Sequence, residues 1–300
     1  MKQALVVAFA LALSGCSLFR RTPTVAPLSE NVHAVVGQPY QANGVWRYPR
    51  SEYGVDQTGL ATIAADRRGL TADGEIFDQT ALAAGHPTLQ LPAVLRVTNL
   101  ENGRQIVLRL NDRGPASPAR LLVLTKRAAT LLDMRADGTR IRLQMEDAET
   151  RQLASATTSD TPALEVATAP RVAIASQALP DLAGAAQSSR VRTGRSTTSV
   201  SASSTAAAAV PTRMPELVTQ GSANPGSLFI DAGAFGRKDY AMILVGRLAP
   251  LGARLTTSYN APRERAYRIR IGPLTTVPEA EAMLDRAIGA GVNDAAIVVE

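Results

Sequence analysis

Thiols, imidazoles and aromatic rings are scarce in this chain: among 300 residues there are one cysteine, two histidines and 4% aromatic residues. A lone cysteine excludes an internal disulfide framework, so any domain must be held by packing alone. With one histidine in the central region and dispersed carboxylates, no ligand set has zinc-like spacing, and no metal or other cofactor is expected. From Asp78 to Leu228 there is no Phe, Tyr or Trp at all. No apolar run is long enough to span a bilayer, since the longest candidate, Ala4 to Leu13, is too short.

That short run has another reading. Lys2 precedes it and Leu13-Ser14-Gly15-Cys16 ends it, a pattern that resembles the bacterial lipoprotein signal. The resemblance implies that residues 1–16 form the signal and that acylated Cys16 becomes the mature N-terminus. Several acyl chains would anchor the protein stably, because each buried methylene contributes about 0.8 kcal/mol. Ser17 is not the Asp associated with inner-membrane retention, so a periplasm-facing outer-membrane anchor in a Gram-negative-type envelope is expected. The net charge is +6, but the arginines are scattered rather than gathered into a stripe. An exported protein with that pattern calls for no nucleic-acid partner, and the charge reads as a solvated surface that tolerates an anionic cell wall.

Composition divides the rest. Residues 17–49 read as a tether, although Val45-Trp46-Arg47-Tyr48 is sticky enough to dock. Residues 148–224 are dominated by Ala, Ser, Thr and Val and offer too little bulky apolar surface to offset chain entropy, so they read as a disordered, low-complexity linker. Between them, residues 50–147 predict a small, mainly β barrel. Leu95–Thr98 and Ile106–Leu110 alternate with period two around Asn102-Gly103, a strong hairpin signal, and Arg140–Met145 alternates again after a short helix over Lys126–Leu132.

Residues 225–300 carry an internal repeat. Gly233, Phe235, Arg247 and Gly252 recur 39 positions later as Gly272, Leu274, Arg286 and Gly291, which predicts a ferredoxin-like βαββαβ unit. Tyr240, Ile243, Leu244, Leu248 and Leu251 are expected on the buried face of its first helix. Ala280, Met283, Leu284, Ala287 and Ile288 are expected on that of the second. Phe229, Phe235, Tyr267, Arg268 and Arg270 are candidates for a flat binding surface on the sheet.

Three turn-like segments bring chemistry to the barrel: Thr71-Ala72-Asp73-Gly74-Glu75, His86 in Ala84-Gly85-His86-Pro87, and Asn111-Asp112-Arg113-Gly114-Pro115. Two carboxylates and a histidine on separate turns are how acid/base sites are assembled. Each also has a plainer reading: Asp112 capping its turn with Arg113 as ion-pair partner, Glu75 solvated beside an ordinary Asp73-Gly74 turn, and His86 as a loop histidine.

These segments, with Thr88-Leu89-Gln90-Leu91-Pro92 and Arg96-Val97-Thr98-Asn99-Leu100, resemble the rare lipoprotein A family of double-psi β-barrel lytic transglycosylases. Gly233-Ala234-Phe235 and Tyr267–Pro273 resemble the sporulation-related repeat (SPOR) domain, which binds glycan strands stripped of stem peptides. Signal, barrel, linker and repeat follow the family's order. The resemblance implies Asp112 as catalytic acid/base, with Glu75 supporting the transition state. His86 would either orient a carboxyl or donate to the sugar, its ordinary pKa of about 6.5 leaving it mostly neutral near pH 7. It also implies septal, peptide-free glycan strands as substrate, a role in daughter-cell separation, and divisome or amidase partners.

This chain departs from the family's usual pattern at several positions. Ala61-Thr62-Ile63-Ala64-Ala65 stands where Ala-Ser-Trp-Tyr-Gly is usual, removing two aromatics. Val123 replaces an acidic residue, and Asp231 a common Gln. An expansin-like glycan binder that does not cut, and a septal adaptor, are the alternatives these changes raise.

Overall fold

Period-two alternation builds the first unit of the computed structural model, which describes residues 30–135, 137–159, 213–261 and 264–300. The signal, Cys16 and most of the expected linker lie outside these residues. The chain runs through β1 (His33–Ala34), β2 (Tyr40–Ala42), β3 (Val45–Arg47), β4 (Asp56–Ile63), β5 (Ala83–Gly85), β6 (Ala93–Asn99), β7 (Arg104–Asp112), β8 (Leu122–Leu124) and α1 (Lys126–Leu131). β9 (Thr139–Met145), α2 (Asp147–Ala156), β10 (Thr158–Ser159) and β11 (Val218–Gln220) follow.

Strands β7, β5, β8, β4, β9 and β6 hydrogen-bond in that order, and β6 pairs back onto β7, closing a six-stranded barrel. The β4–β8 and β5–β7 pairs are parallel, and the others are antiparallel. This is the double-psi β-barrel read from the sequence. Along β9 the inward residues Thr139, Ile141, Leu143 and Met145 are buried while the intervening ones are not. Ile141, Leu143 and Met145 meet Leu95, Val97, Ile106, Leu108, Leu122 and Leu124 in one apolar core. The Leu100–Gly103 turn joins β6 to β7, with Gly103 at φ +80°.

Residues read as tether and linker add to this unit. Val35 and Leu91 exchange backbone hydrogen bonds of 2.7 and 2.8 Å, and the Tyr40 hydroxyl donates to the Pro87 carbonyl at 2.9 Å. Helix α2 lies on β6, where fully buried Thr150 accepts from the Val94 amide at 3.0 Å. Strand β11 pairs with the first half of β7, whose last residues pair with β5.

The second unit is β12 (Leu228–Phe235), α3 (Lys238–Leu248), a 3-10 turn, β13 (Arg254–Ala261), β14 (Glu264–Leu274), α4 (Val277–Gly289) and β15 (Ala296–Val299). Its antiparallel sheet has the order β13-β14-β12-β15, which is the expected βαββαβ sandwich. The 39-residue repeat is visible in the backbone. Gly233 and Gly272 sit at φ +119° and +136°, and Gly252 and Gly291, just past the helices, at +76° and +90°, conformations that favour glycine.

Helix α4 buries Ala280, Leu284 and Ala287 as its periodicity predicts. On helix α3 and the 3-10 turn after it, Leu248 is buried and Leu244 and Leu251 pack against the core as expected, but Ala241 takes the place of Tyr240 and Ile243, which are 55% and 65% exposed. Small Ala241 lets the helix lie close to the sheet, while Tyr240, Met242 and Ile243 stay exposed.

The two units touch closely. Leu60 of β4 is fully buried and, with Leu100, joins the core of the second unit. Thr58 Oγ1 donates to the Val299 carbonyl at 2.7 Å and accepts from the Val299 amide at 3.0 Å.

Candidate active site

The three chemistry-bearing segments meet at one end of the barrel through backbone hydrogen bonds. The Asp73 amide donates to the Asn111 carbonyl at 3.2 Å, and the His86 amide donates to the Asp112 carbonyl at 3.1 Å. Residues 31–33 cross the first turn, where the Asn31 and His33 amides donate to the Gly74 and Asp73 carbonyls at 3.1 and 2.9 Å. A Cβ on Gly74, at φ +88°, would lie 2.1 Å from the Asn31 carbonyl oxygen, so this crossing requires glycine.

Asp112, the last residue of β7, opens onto a groove of about 450 Å3 lined by Arg67, Phe77, Asn111, Val123 and Thr125, among others. Its Oδ1 accepts from the Ala72 and Arg113 amides at 3.0 and 2.8 Å, which fixes the carboxyl plane. Its Oδ2 pairs with the Arg67 guanidinium. Val123 forms part of the groove wall. It packs so near Gly85 that a Cβ there would be 2.8 Å from Val123 Cγ1.

Glu75 is nearly buried behind this groove. Its Oε1 lies 2.6 Å from Arg109 Nη2, and its Oε2 accepts from Asn111 Nδ2 at 2.6 Å. The solvated reading of Glu75 therefore gives way to a buried ion pair, and through Asn111 the carboxylate fixes the residue preceding Asp112. Arg109 also faces Asp73, but at 3.7 Å. Fully buried Asp73 accepts from Thr71 Oγ1 at 2.7 Å. Burial, with the neighbouring Glu75 charge, pushes its carboxyl up to about 6 despite that bond and the distant guanidinium.

His86 is 2% exposed, and its Nδ1 accepts from the Thr88 and Leu89 amides at 3.2 and 3.1 Å. That assigns the proton to Nε2 and makes the imidazole an organiser of its own loop. Burial, followed by the charges of Arg113, Arg47 and Arg50, lowers its pKa to about 3. The neutral state expected from the sequence thus holds far below pH 7. His86 lies at a cleft between the two units rather than at the Asp112 groove.

The sheet candidates divide between two faces. Arg268 pairs with Asp231 at 3.2 Å, Arg270 pairs with Glu300, and Phe229 packs over Gly272, on the face away from the helices. Phe235 and Tyr267 are paired in register and pack against the core shared with the helices, so they do not extend that surface.

Sequence reasoning passed over Arg67, Asp73, Arg109 and Asn111. The signal for two of them was present: Arg109 and Asn111 share one face of β7 with period two.

Residues 56–143 match the lytic transglycolase family, and residues 224–298 match the SPOR domain. Three proteins named endolytic peptidoglycan transglycosylase RlpA are similar to this chain. The one from Yersinia pestis is 42% identical over 124 residues, covering 40% of this chain and 33% of that one. The one from Escherichia coli (strain K12) is 37% identical over 169 residues, covering 55% and 45%. One from Pseudomonas aeruginosa is 30% identical over 272 residues, covering 88% and 77%. The chain thus spans between a third and just under half of the length of the Yersinia and Escherichia relatives.

Proposed function

Because this chain belongs to the RlpA family of endolytic peptidoglycan transglycosylases, we propose that it cleaves peptidoglycan glycan strands without water, leaving 1,6-anhydromuramic ends. The observation that carries this reading is the Asp112 carboxyl at the groove, held by two backbone amides on one oxygen and paired with the half-exposed Arg67 guanidinium on the other.

Breaking the glycosidic bond needs a proton on the leaving oxygen, and closing the anhydro ring needs the muramic 6-hydroxyl to lose one. A single carboxyl serves both steps in turn, so no second carboxyl need stand across the bond as in an inverting hydrolase. Asp112 gives its proton to the leaving oxygen as the C1–O bond breaks. Its carboxylate then takes the 6-hydroxyl proton as that oxygen bonds to C1. To begin, Asp112 must separate from Arg67 and hold a proton. Glu75 acts from behind by fixing Asn111 and by placing negative charge near the oxocarbenium-like centre. His86 holds the 86–89 turn on which the Asp112 backbone rests.

In this reading, residues 1–16 with acylated Cys16 tether the protein to the outer membrane, and residues 17–49 lead into a catalytic domain at 50–147. Residues 148–224 link it to a glycan-binding domain at 225–300. That domain raises the local concentration of strands lacking stem peptides at the division site, where daughter cells separate and where amidases or divisome proteins would act beside it.

The test is incubation of the chain lacking residues 1–16 with peptide-free glycan strands, followed by mass spectrometry of the products, with Asp112→Asn in parallel. Anhydromuramic ends from the parent alone are expected. The substitution should lower turnover by about 10²–10⁴-fold, the usual contribution of a general acid/base. Intact strands from both proteins, with binding retained, would sink the enzymatic reading in favour of the expansin-like one that Val123 and the absent aromatics recommend.

A further inference from the structure

Three of the four buried side-chain nitrogens that lack a hydrogen-bond partner among the described residues are Arg47 Nε, His86 Nε2 and Arg270 Nε, and all three residues line the same cleft. The fourth, Arg109 Nε, belongs to the ion cluster at Glu75. The cleft is about 770 Å3 and runs between the barrel and the open face of the second sheet. Burying a donor without an acceptor is costly, and native proteins seldom leave several together.

The cleft has built walls. Along one edge Thr58 exchanges two hydrogen bonds with Val299, and a Cβ on Gly59 would lie 3.2 Å from the Ile297 carbonyl oxygen. Beside it Arg120 reaches Asp137 at 2.6 Å and Glu281 at 2.5 Å, tying barrel to helix α4. The charges in the cleft are largely neutralised in pairs: Arg142 with Asp56, Arg268 with Asp231, Arg270 with Glu300. What it offers is a set of directed N–H donors and paired planar groups rather than a net field, which suits a ligand rich in hydroxyl and carbonyl oxygens.

We propose that this cleft is a second glycan subsite made jointly by the two units, where Arg47, His86 and Arg270 donate to hydroxyl and acetamido oxygens of a peptide-free amino-sugar strand. The proposal rests on the functional reading above for its choice of ligand. It goes further in requiring the barrel side of the cleft, Arg47 on β3 and His86, to bind together with Arg270 of the second sheet. Gly85 lines the Asp112 groove and the next residue, His86, lines the cleft, so the two sites share one stretch of backbone.

Calorimetric titration of the full chain in mild detergent, carrying Asp112→Asn to prevent turnover, with a peptide-free tetrasaccharide of N-acetylglucosamine and N-acetylmuramic acid tests this. Arg47→Gln and Arg270→Gln should each weaken binding about tenfold, the effect of one lost charge-assisted hydrogen bond, at unchanged stoichiometry. If Arg47→Gln melts early, Arg47→Lys, which keeps the charge but not the Nε donor, is read instead. Weakening by Arg270→Gln alone assigns the ligand to the second sheet and overturns the joint subsite. No effect of either substitution, no binding by the parent, or equal binding of the peptide-bearing tetrasaccharide also overturns it. An absence of anhydromuramic products when the chain with Asp112 intact is incubated with peptide-free strands, with both arginine effects present, sinks the catalytic reading and leaves the subsite standing.

Discussion

Arg67 and Asp112 form an ion pair across the groove, and the Arg67 guanidinium carbon lies 4.3 Å from the centre of the Phe77 ring. One carboxyl oxygen is thereby fixed by backbone amides, while the other is held by a half-exposed side chain that can swing away. Arg67 leaves Asp112 for the first proton transfer and returns to position the carboxylate that takes the 6-hydroxyl proton, so Arg67→Ala should lower kcat about tenfold, the equivalent of one charge-assisted hydrogen bond of about 1.5 kcal/mol. Arg67→Lys should recover part of that loss, because an ammonium restores the charge but not the stacking on Phe77. Steady-state product formation decides it, and a wild-type kcat for Arg67→Ala would show that the pair has no positioning role.

Arg109 is the sole guanidinium paired with either Asp73 or Glu75 among the described residues. Removing it leaves buried carboxylates without a counter-charge. Arg109→Leu should destabilise the fold by about 3–5 kcal/mol. Asn111→Ala, which deletes one hydrogen bond to Glu75, should cost about 1.5–3 kcal/mol. Urea denaturation at neutral pH ranks them, and the reverse order would mean that Glu75 depends mainly on Asn111.

Leu60 lies on a barrel strand yet is fully buried in the second unit's core. Leu60→Ala should cost about 2–5 kcal/mol and lower the unfolding temperature of the C-terminal sheet together with that of the barrel. Scanning calorimetry reads both, and an unmoved C-terminal transition would mean that the two units unfold independently.

What was legible in the sequence is what local periodicity encodes. The inward face of β9, the Asn102-Gly103 turn and the paired glycines at 233/272 and 252/291 all follow from residues close in sequence. On α3 only Tyr240 and Ile243 were misplaced, because they fit the helical period as well as Ala241 does and only contact with the sheet selects between them. Grouping the three chemistry-bearing segments was within reach, but the direction of each side chain was not. His86 turns to its own loop because the Thr88 and Leu89 amides need an acceptor, and Glu75 is buried because Arg109, 34 positions away, is waiting for it. The docking of residues 31–35 across Gly74 likewise depends on a long-range backbone match that composition does not record.

Asp73 and His86 set opposing dependences of stability on pH. Asp73 has a folded pKa raised from 3.8 to about 6, so the native state holds its proton more tightly than the unfolded chain does. That contribution is complete below the unfolded value and is lost as pH rises through about 6. His86 is lowered from 6.5 to about 3, so its contribution is complete above 6.5 and is lost as pH falls toward 3. Between about pH 4 and 6 the two slopes oppose each other. Asp73→Asn retains an oxygen to accept from Thr71 but cannot titrate, which leaves the His86 slope unopposed. Its stability should therefore fall more steeply than the parent's when the pH is lowered from 6 to 4, in urea titrations at fixed ionic strength. Equal slopes for variant and parent would show that Asp73 does not take up its proton in this range, and that Arg109 neutralises it despite the 3.7 Å separation.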